Sequence, residues 1–292
     1  MPSFERDSLF GVDGLVAVIT GGGSGIGLMQ AKALADNGAK KVYIVGRREN
    51  QLKEAAQYSP SVITPLPGDV SSKDSLKSIA EKVKNEVGYI NLLSCNAGMS
   101  GPMLEKLKPR HTLSDFVEHV WKTPKEEFTD VYDLNCSAVF YSIVAFLELL
   151  DQGNQQGNPV KSQVIATAST ASFLRNPRAG FAYCSSKAGV ISMMKCFSTF
   201  MVPFGIRFNM IAAGLFPSEM SAPLFNPFKI SKEKAIDEEG AFARSYQPAE
   251  RAGKQEDMAG TTLYLASRAG SFVNGSVMLV DGGKIATMPA TY

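Results

Sequence analysis

Histidine is almost missing from this chain: His111 and His119 are its only two. That is too few imidazoles for a histidine-based metal site or a Ser-His-Asp triad, and the pair reads as surface, so no metal is expected. Cysteine is scarce as well. Cys95, Cys136, Cys184 and Cys196 form no C-x-x-C pair and no zinc spacing. Three of them stand in apolar or small-residue stretches that read as core, which suits a reducing compartment. Neither sign of charge is in excess: the net charge is +2, which gives no electrostatic case for a nucleic-acid partner. Long hydrophobic runs are also lacking. The longest, around Cys136–Leu150, is too short to cross a bilayer and carries Glu148. The opening MPSFERDSLF has early charges and no apolar core of a signal peptide, and the final ATY is not a peroxisomal address. A cytoplasmic protein that engages neither membrane nor nucleic acid is expected.

What is present is a chain of 292 residues, 45% hydrophobic and 20% charged, enough to bury a sizeable core. Seven short apolar runs, 15–20, 41–46, 62–70, 90–98, 162–169, 206–214 and 276–283, are rich in Val and Ile and close on Gly, Asp, Asn or Ser. Such runs read as strands buried on both faces. Helical spacing fills the gaps at 28–39, 75–88, 131–150 and 188–202. Strand and helix alternate over nearly the whole length, which predicts an α/β fold with a doubly wound, parallel, seven-stranded sheet. No repeat, linker or low-complexity tract divides it, so one domain is expected over 1–292. The helices at 131–150 and 188–202 have so little polar face that both sides must be covered, within the domain or by a partner subunit. Two insertions, 101–127 and 217–248, follow strands. Ligands bind at the carboxyl ends of strands in such sheets, so these segments are expected to build a substrate pocket.

Between the first strand and the first helix lies TGGGSGIG, Thr20 to Gly27. Gly21 allows the tight turn. Gly23, Ser24, Gly25 and Ile26 bring backbone close to a pyrophosphate, and Gly27 lets the helix pack on the strand. A glycine loop alone is weak; in this position it predicts dinucleotide binding. The second strand ends on Gly46, without the acidic residue that accepts a ribose 2′-hydroxyl, and Arg47 and Arg48 follow. A guanidinium clamps a 2′-phosphate bidentately, so NADP(H) is predicted, with Arg47 as main contact and Arg48 and Ser24 as helpers. Farther on, Tyr183 stands four residues before Lys187 in AYCSSKAG. That spacing puts both on one helix face, where an ammonium favours the phenolate. Taken alone it reads as an ordinary helix face sooner than as half of an active site.

The ordered set TGGGSGIG, GDV (68–70), NAG (96–98), LN (134–135), ATAS (166–169), YCSSK (183–187), NMIAAG (209–214) and NGSVMLVDGG (274–283) resembles the short-chain dehydrogenase/reductase family over residues 12–284. The resemblance implies a single Rossmann-fold domain. It implies that Asp69 and Val70 hold the adenine and that Asn96, Ala97 and Gly98 form the turn against the cofactor. It implies a catalytic tetrad of Asn135, Ser169, Tyr183 and Lys187. The family's serine position is occupied by Thr170 if counted strictly from Tyr183; one extra residue in ASTASFLRNPRAGFAY leaves Ser169 in the role, with Thr170 as the substitute. The family's Pro-Gly after the sixth strand is Ala213-Gly214 here. Gly214, Phe216 and Ser218 are implied on the nicotinamide side, Ser218 bonding the carboxamide.

In the chemistry thus implied, Tyr183 supplies a proton as the substrate oxygen gains charge, and Ser169 stabilises that charge. Lys187 tunes Tyr183 and reaches the nicotinamide ribose, and Asn135 positions a relay water. Phe173, Phe181, Phe216 and Met220 are expected to line the substrate pocket, with Met99, Met103, Leu224 and Phe225 nearby. The set suggests a bulky, apolar or aromatic, polyketide-like ketone of secondary metabolism, bound as a small-molecule substrate. The family also implies a homodimer or homotetramer. The alternatives are an NADP-dependent secondary-alcohol dehydrogenase or epimerase using the same residues, and a non-catalytic binding protein with this fold.

Overall fold

Short runs of Val, Ile, Leu and Ala pair into a seven-stranded, all-parallel sheet in a computed structural model that describes residues 4–104, 110–225 and 227–292. The strands are β1 (Val16–Thr20), β2 (Lys41–Gly46), β3 (Ile63–Pro67), β4 (Leu92–Cys95), β5 (Gln163–Ser169), β6 (Arg207–Ala213) and β7 (Val277–Val280), in the order β3-β2-β1-β4-β5-β6-β7. Every strand lies where an apolar run was read. Two are shorter than expected for identifiable reasons. Pro65 and Pro67 offer no N–H and sit on the edge strand β3, where none is needed. Asn96–Gly98 leave the ladder to form part of the cleft described below.

Alternate residues of β1 face opposite layers. Val16 and Val18 pack with Leu76, Val83, Phe146 and Met194; Ala17 and Ile19 pack with Leu34, Leu52, Met258 and Leu265. This two-sided burial is why the strands read as unbroken apolar runs. Each such side chain contributes about 1.5–3 kcal/mol of transfer free energy. Strand order reverses between β1 and β4, and a crevice opens at that switch point beyond the strand ends. The insertion at 217–248 has a small core of its own around Phe225, Ala241, Phe242 and Ala252. The other insertion contributes the helix Leu113–Trp121. Its residues 105–109, and Pro-flanked position 226 of the second insertion, lie outside the described residues.

Two helices depart from the sequence reading. The helix expected at 188–202 begins earlier and runs Phe181–Phe200, so Tyr183 and Lys187 occupy its first two turns. The stretch expected at 131–150 is part of one helical segment, Lys125–Asn154, of 30 residues with hydropathy 1.5. By length and composition it suffices to cross a membrane, contrary to the expectation that no segment would. Ile143, Phe146 and Leu150 are nonetheless buried on the sheet, which makes it a core helix. Its outer face, with Phe140, Tyr141 and Val144, is uncovered, as is Phe200 at the end of the neighbouring helix. Of the cysteines, only Cys95 is buried; Cys136 and Cys184 are half-buried and Cys196 is exposed.

Candidate active site

The loop after β1 leads into the helix Gly25–Asp36. Ser24 opens this helix without a side-chain cap, and its first turn holds no acidic residue. Its leading N–H groups and positive dipole end therefore face the cleft unopposed. Gly27 sits so close to the turn that a Cβ there would lie 2.4 Å from Gly21 O and 2.5 Å from Asn96 Nδ2. Asn96 fixes that turn: Nδ2 donates to Thr20 O and Gly21 O, both at 3.2 Å. Gly21, Gly23, Ser24, Gly25 and Ile26 line the cleft, whereas Gly27 lies behind it and has the packing role alone. An uncapped helix start under a backbone-lined loop fits a diphosphate. The cleft holds about 1800 Å³, beyond the roughly 300–1,000 Å³ of an ordinary ligand pocket, so a dinucleotide and a second molecule fit together.

At the far end of the loop, Arg47, Arg48, Asp69 and Val70 also line the cleft. Asp69 Oδ1 accepts from Ser71 N–H at 2.9 Å and from Ser71 Oγ at 2.7 Å. The Ser71 hydrogen bonds, with a smaller contribution from the Arg47 charge, hold the Asp69 carboxyl below its ordinary value. Arg48 is not the free helper the sequence suggested. Its Nη1 donates to Glu219 Oε2 at 2.8 Å, and Gln51 Nε2 donates to Glu219 Oε1 at 3.0 Å. Glu219 belongs to the second insertion, so this pairing straps the insertion across the adenosine end.

At the centre stand the residues around Tyr183. Ser169 ends β5, and its Oγ accepts from Ala171 N–H at 3.1 Å to start a short turn. Burial pushes the Tyr183 phenol up, and a hydrogen bond with the Ser169 side chain acts in the opposite direction. Ser169, Thr170 and Tyr183 line the same wall of the cleft, and Ser169 is the one of the two hydroxyls that bears on the phenol. Lys187 Nζ donates to Thr167 O at 2.8 Å and lies 6.0 Å from the Tyr183 ring centre. Burial brings the Lys187 ammonium down to about 8. The expectation that Lys187 lowers the phenol is therefore corrected: the stabilising contact comes from Ser169, and desolvation outweighs it.

Asn135 is fully buried and does not line the cleft. It lies in a π-helical turn, Asp133–Ser137. Its Oδ1 accepts from Met99 N–H at 2.9 Å, and its Nδ2 donates to Met99 O and Ser186 Oγ, both at 3.1 Å. Its amide locks the Gly98–Met99 corner to the tyrosine helix, which makes its side chain a positioning group.

The family model described as enoyl-(acyl carrier protein) reductase matches residues 21–284. The short-chain dehydrogenase/reductase PhomF of Diaporthe leptostromiformis is 47% identical over 296 residues, covering 100% of this chain and 98% of its own. This chain belongs to the short-chain dehydrogenase/reductase family. It is accordingly an oxidoreductase acting on alcohol or carbonyl groups. The short-chain dehydrogenase/reductase VdtF of Byssochlamys spectabilis is 38% identical, with 99% of each chain covered. Among solved structures, the Pseudomonas aeruginosa RhlG/NADP active-site complex matches with a TM-score of 0.76 at 28% identity, over 94% of this chain and 98% of that one.

In this family member the remaining predicted residues divide. Asn96, Ala97, Gly98, Gly214, Phe216, Phe181 and Met220 line the cleft, as do Met99, Met103 and Leu224. Ser218 lines it too, but its hydroxyl already pairs with Ser221 Oγ at 2.9 Å and accepts from Ser221 N–H at 3.1 Å. Phe173 does not line it. Its ring packs edge-on against Tyr292 at 4.8 Å, and Thr291 N–H donates to Phe173 O, so the chain end covers it. Phe225 is buried against Phe242. The sequence reading missed Glu219, Thr167, Ser186 and Lys284. The Y-x-x-x-K stretch contains Ser186 in plain view; the others carry no spacing signal.

Proposed function

We propose that this oxidoreductase is an NADPH-dependent reductase of a bulky, largely apolar or aromatic, polyketide-like ketone, with Tyr183 as proton donor. The observation that carries the reading is the meeting of Ser169 and Tyr183 on the cleft wall beside the uncapped glycine loop. When bound, the nicotinamide supplies a hydride to the carbonyl carbon. The Ser169 hydroxyl donates to the carbonyl oxygen as it gains charge, and the Tyr183 hydroxyl delivers its proton to it. Burial that holds the phenol above its ordinary value keeps Tyr183 in the donor form that this reduction uses. The glycine loop and Lys187 hold the cofactor, and Asn135 keeps the Gly98–Met99 corner in register. Phe181, Met220, Met103 and Phe116 give an apolar wall for the substrate body.

Arg47 supports NADPH over NADH: it follows β2 at the position where a bare ribose diol would call for a carboxylate, and Glu219 nearby is taken up by Arg48 and Gln51. The Pseudomonas aeruginosa relative solved as an NADP complex supports the same reading. The test is titration with NADPH and NADH, followed by fluorescence quenching, of wild type and Arg47→Ala. Tighter NADPH binding that collapses in the variant supports the reading. Equal affinities refute the 2′-phosphate clamp. Turnover of aryl ketones that survives Tyr183→Phe refutes the proton donor; a loss of about 10²–10⁴-fold supports it.

The uncovered Phe140, Tyr141, Val144 and Phe200 support a second copy as the partner, in a cytoplasmic homodimer or homotetramer. Light scattering at micromolar concentration, with a Phe140→Glu variant alongside, tests this.

A further inference from the structure

Beyond Tyr183 the cleft continues into a bay that the proposed reduction leaves unused. Its walls include Leu174, Arg178, Phe228, Tyr246, Lys284 and Met288, brought from three separate segments. Phe228 and Tyr246 stack with ring centres 4.2 Å apart and 10° between planes. Lys284 Nζ lies 3.5 Å from the Tyr246 ring centre and also donates to Tyr246 O. The Arg178 guanidinium carbon lies 5.8 Å from the Phe228 ring centre. One cation thus rests against each member of an aromatic pair.

Neither cation has an ion pair among the described residues. The acid near Lys284 is Asp281, whose oxygens accept from Gly283 N–H at 2.9 Å and Ile285 N–H at 2.7 Å. Among the described residues, the acidic ones lining the cleft are Asp69 and Glu219, both at the adenosine end. Lys284 is half-buried; burial first, and repulsion from Arg178 second, bring its ammonium down to about 8. Contact with an aromatic face stabilises a cation only weakly at an exposed site. That is a small return for holding Lys284 partly out of water beside the like charge of Arg178, where it would otherwise extend into solvent. A bound oxyanion removes the repulsion and fills the free donors of both groups.

We propose that Arg178 and Lys284 bind an oxyanion of the substrate, a carboxylate or a phosphate, so that the preferred ketones carry a negative charge at the end remote from the carbonyl. The reacting end of this substrate rests on the ketone-reductase reading; the anion site itself does not.

The test compares 4-benzoylbutyrate, its methyl ester and 3-phenylpropyl phosphate on the full chain with NADPH present, reading binding by calorimetry and turnover by NADPH absorbance. The acid is expected to bind at least tenfold more tightly than the ester at low salt. In Lys284→Met, and separately in Arg178→Met, the acid-to-ester ratio falls to about one, while Lys284→Arg retains most of it. Arg178 is exposed, so its variant reports even where the lysine variant is destabilised. Tighter binding of the phosphate than of the acid, lost in the same variants, identifies the oxyanion as phosphate; the reverse identifies a carboxylate. Equal binding of acid and ester, binding of neither, or a preference that survives both variants overturns the proposal. Acid binding that depends on Lys284 without turnover of any ketone leaves the anion site standing and removes the reductase reading. Turnover of the ester without acid preference does the opposite.

Discussion

The Thr167 hydroxyl donates to Asn96 Oδ1 at 3.0 Å. The Thr167 carbonyl accepts from Lys187 Nζ, while the Asn96 amide holds Thr20 and Gly21. One hydrogen-bonded path therefore runs from the glycine loop through two adjacent strands to the tyrosine helix. Asn96→Ala removes its middle and leaves part-buried partners unsatisfied. The expected cost is about 1–3 kcal/mol of stability, with at least tenfold weaker NADPH binding. Urea unfolding and dinucleotide titration check both; an unchanged dissociation constant would show that the loop holds its shape without Asn96.

Lys187 imposes a pH dependence on stability. Its folded value is about 8 against an ordinary 10.5. Between these values the unfolded chain binds more protons than the folded one, so stability rises as pH rises from 8 to 10.5. Below pH 8 the buried ammonium destabilises the fold by its full amount. Lys187→Met is expected to stabilise the protein at pH 7 by up to about 3 kcal/mol, to flatten the rise above pH 8, and to abolish turnover. Lys284, also lowered to about 8, acts in the same direction and leaves a residual slope. Urea midpoints from pH 7 to 10 decide; identical slopes in variant and wild type would sink the assignment.

Glu219 competes with a 2′-phosphate for Arg48. The pair is exposed on both sides, so water and salt screen it and breaking it costs little. Glu219→Gln is expected to bind NADPH about two- to fivefold more tightly and NADH no more tightly. The effect shrinks in high salt. Weaker NADPH binding in the variant would mean that Glu219 orients Arg48 instead of occupying it.

Gly27→Ala drives a methyl group into Gly21 O and Asn96 Nδ2, neither free to retreat. An overpacked contact of this kind costs about 1–3 kcal/mol. Affinity for NADPH and NADH should fall together, because Gly27 lies behind the loop and touches neither ribose. Thermal unfolding with parallel titrations reads this; discrimination between the two dinucleotides would contradict it.

The strands were legible because burial on both faces writes itself as unbroken runs such as LVAVIT. The glycine loop and the Tyr183–Lys187 pair were legible because their partners are local. What stayed hidden depends on distance. The Arg48–Glu219 bond spans 171 positions, and the Asn135 amide reaches 36 and 51 positions to its partners. No residue spacing announces such contacts. Phe173 looked like a pocket residue from its neighbours, yet the last residues of the chain fold back over it. The raised phenol was hidden for another reason: desolvation belongs to the assembled cleft and to no residue in it.

The β1–β4 seam also governs how the chain acquires its shape. Val16 N–H donates to Asn91 Oδ1 across 75 positions, and Ala17, Val18 and Ile19 pair with Leu92, Leu93 and Ser94. A ribosome adding about 5–20 residues per second leaves β1 without its central neighbour for about 4–15 s. During that interval only the β1–β2–β3 half can assemble, with an apolar edge open to pairing with another nascent chain. Closure is non-local and therefore slow. Slower synthesis at lower temperature, or added chaperone, is accordingly expected to raise the folded yield more than a mutation that stabilises the finished fold.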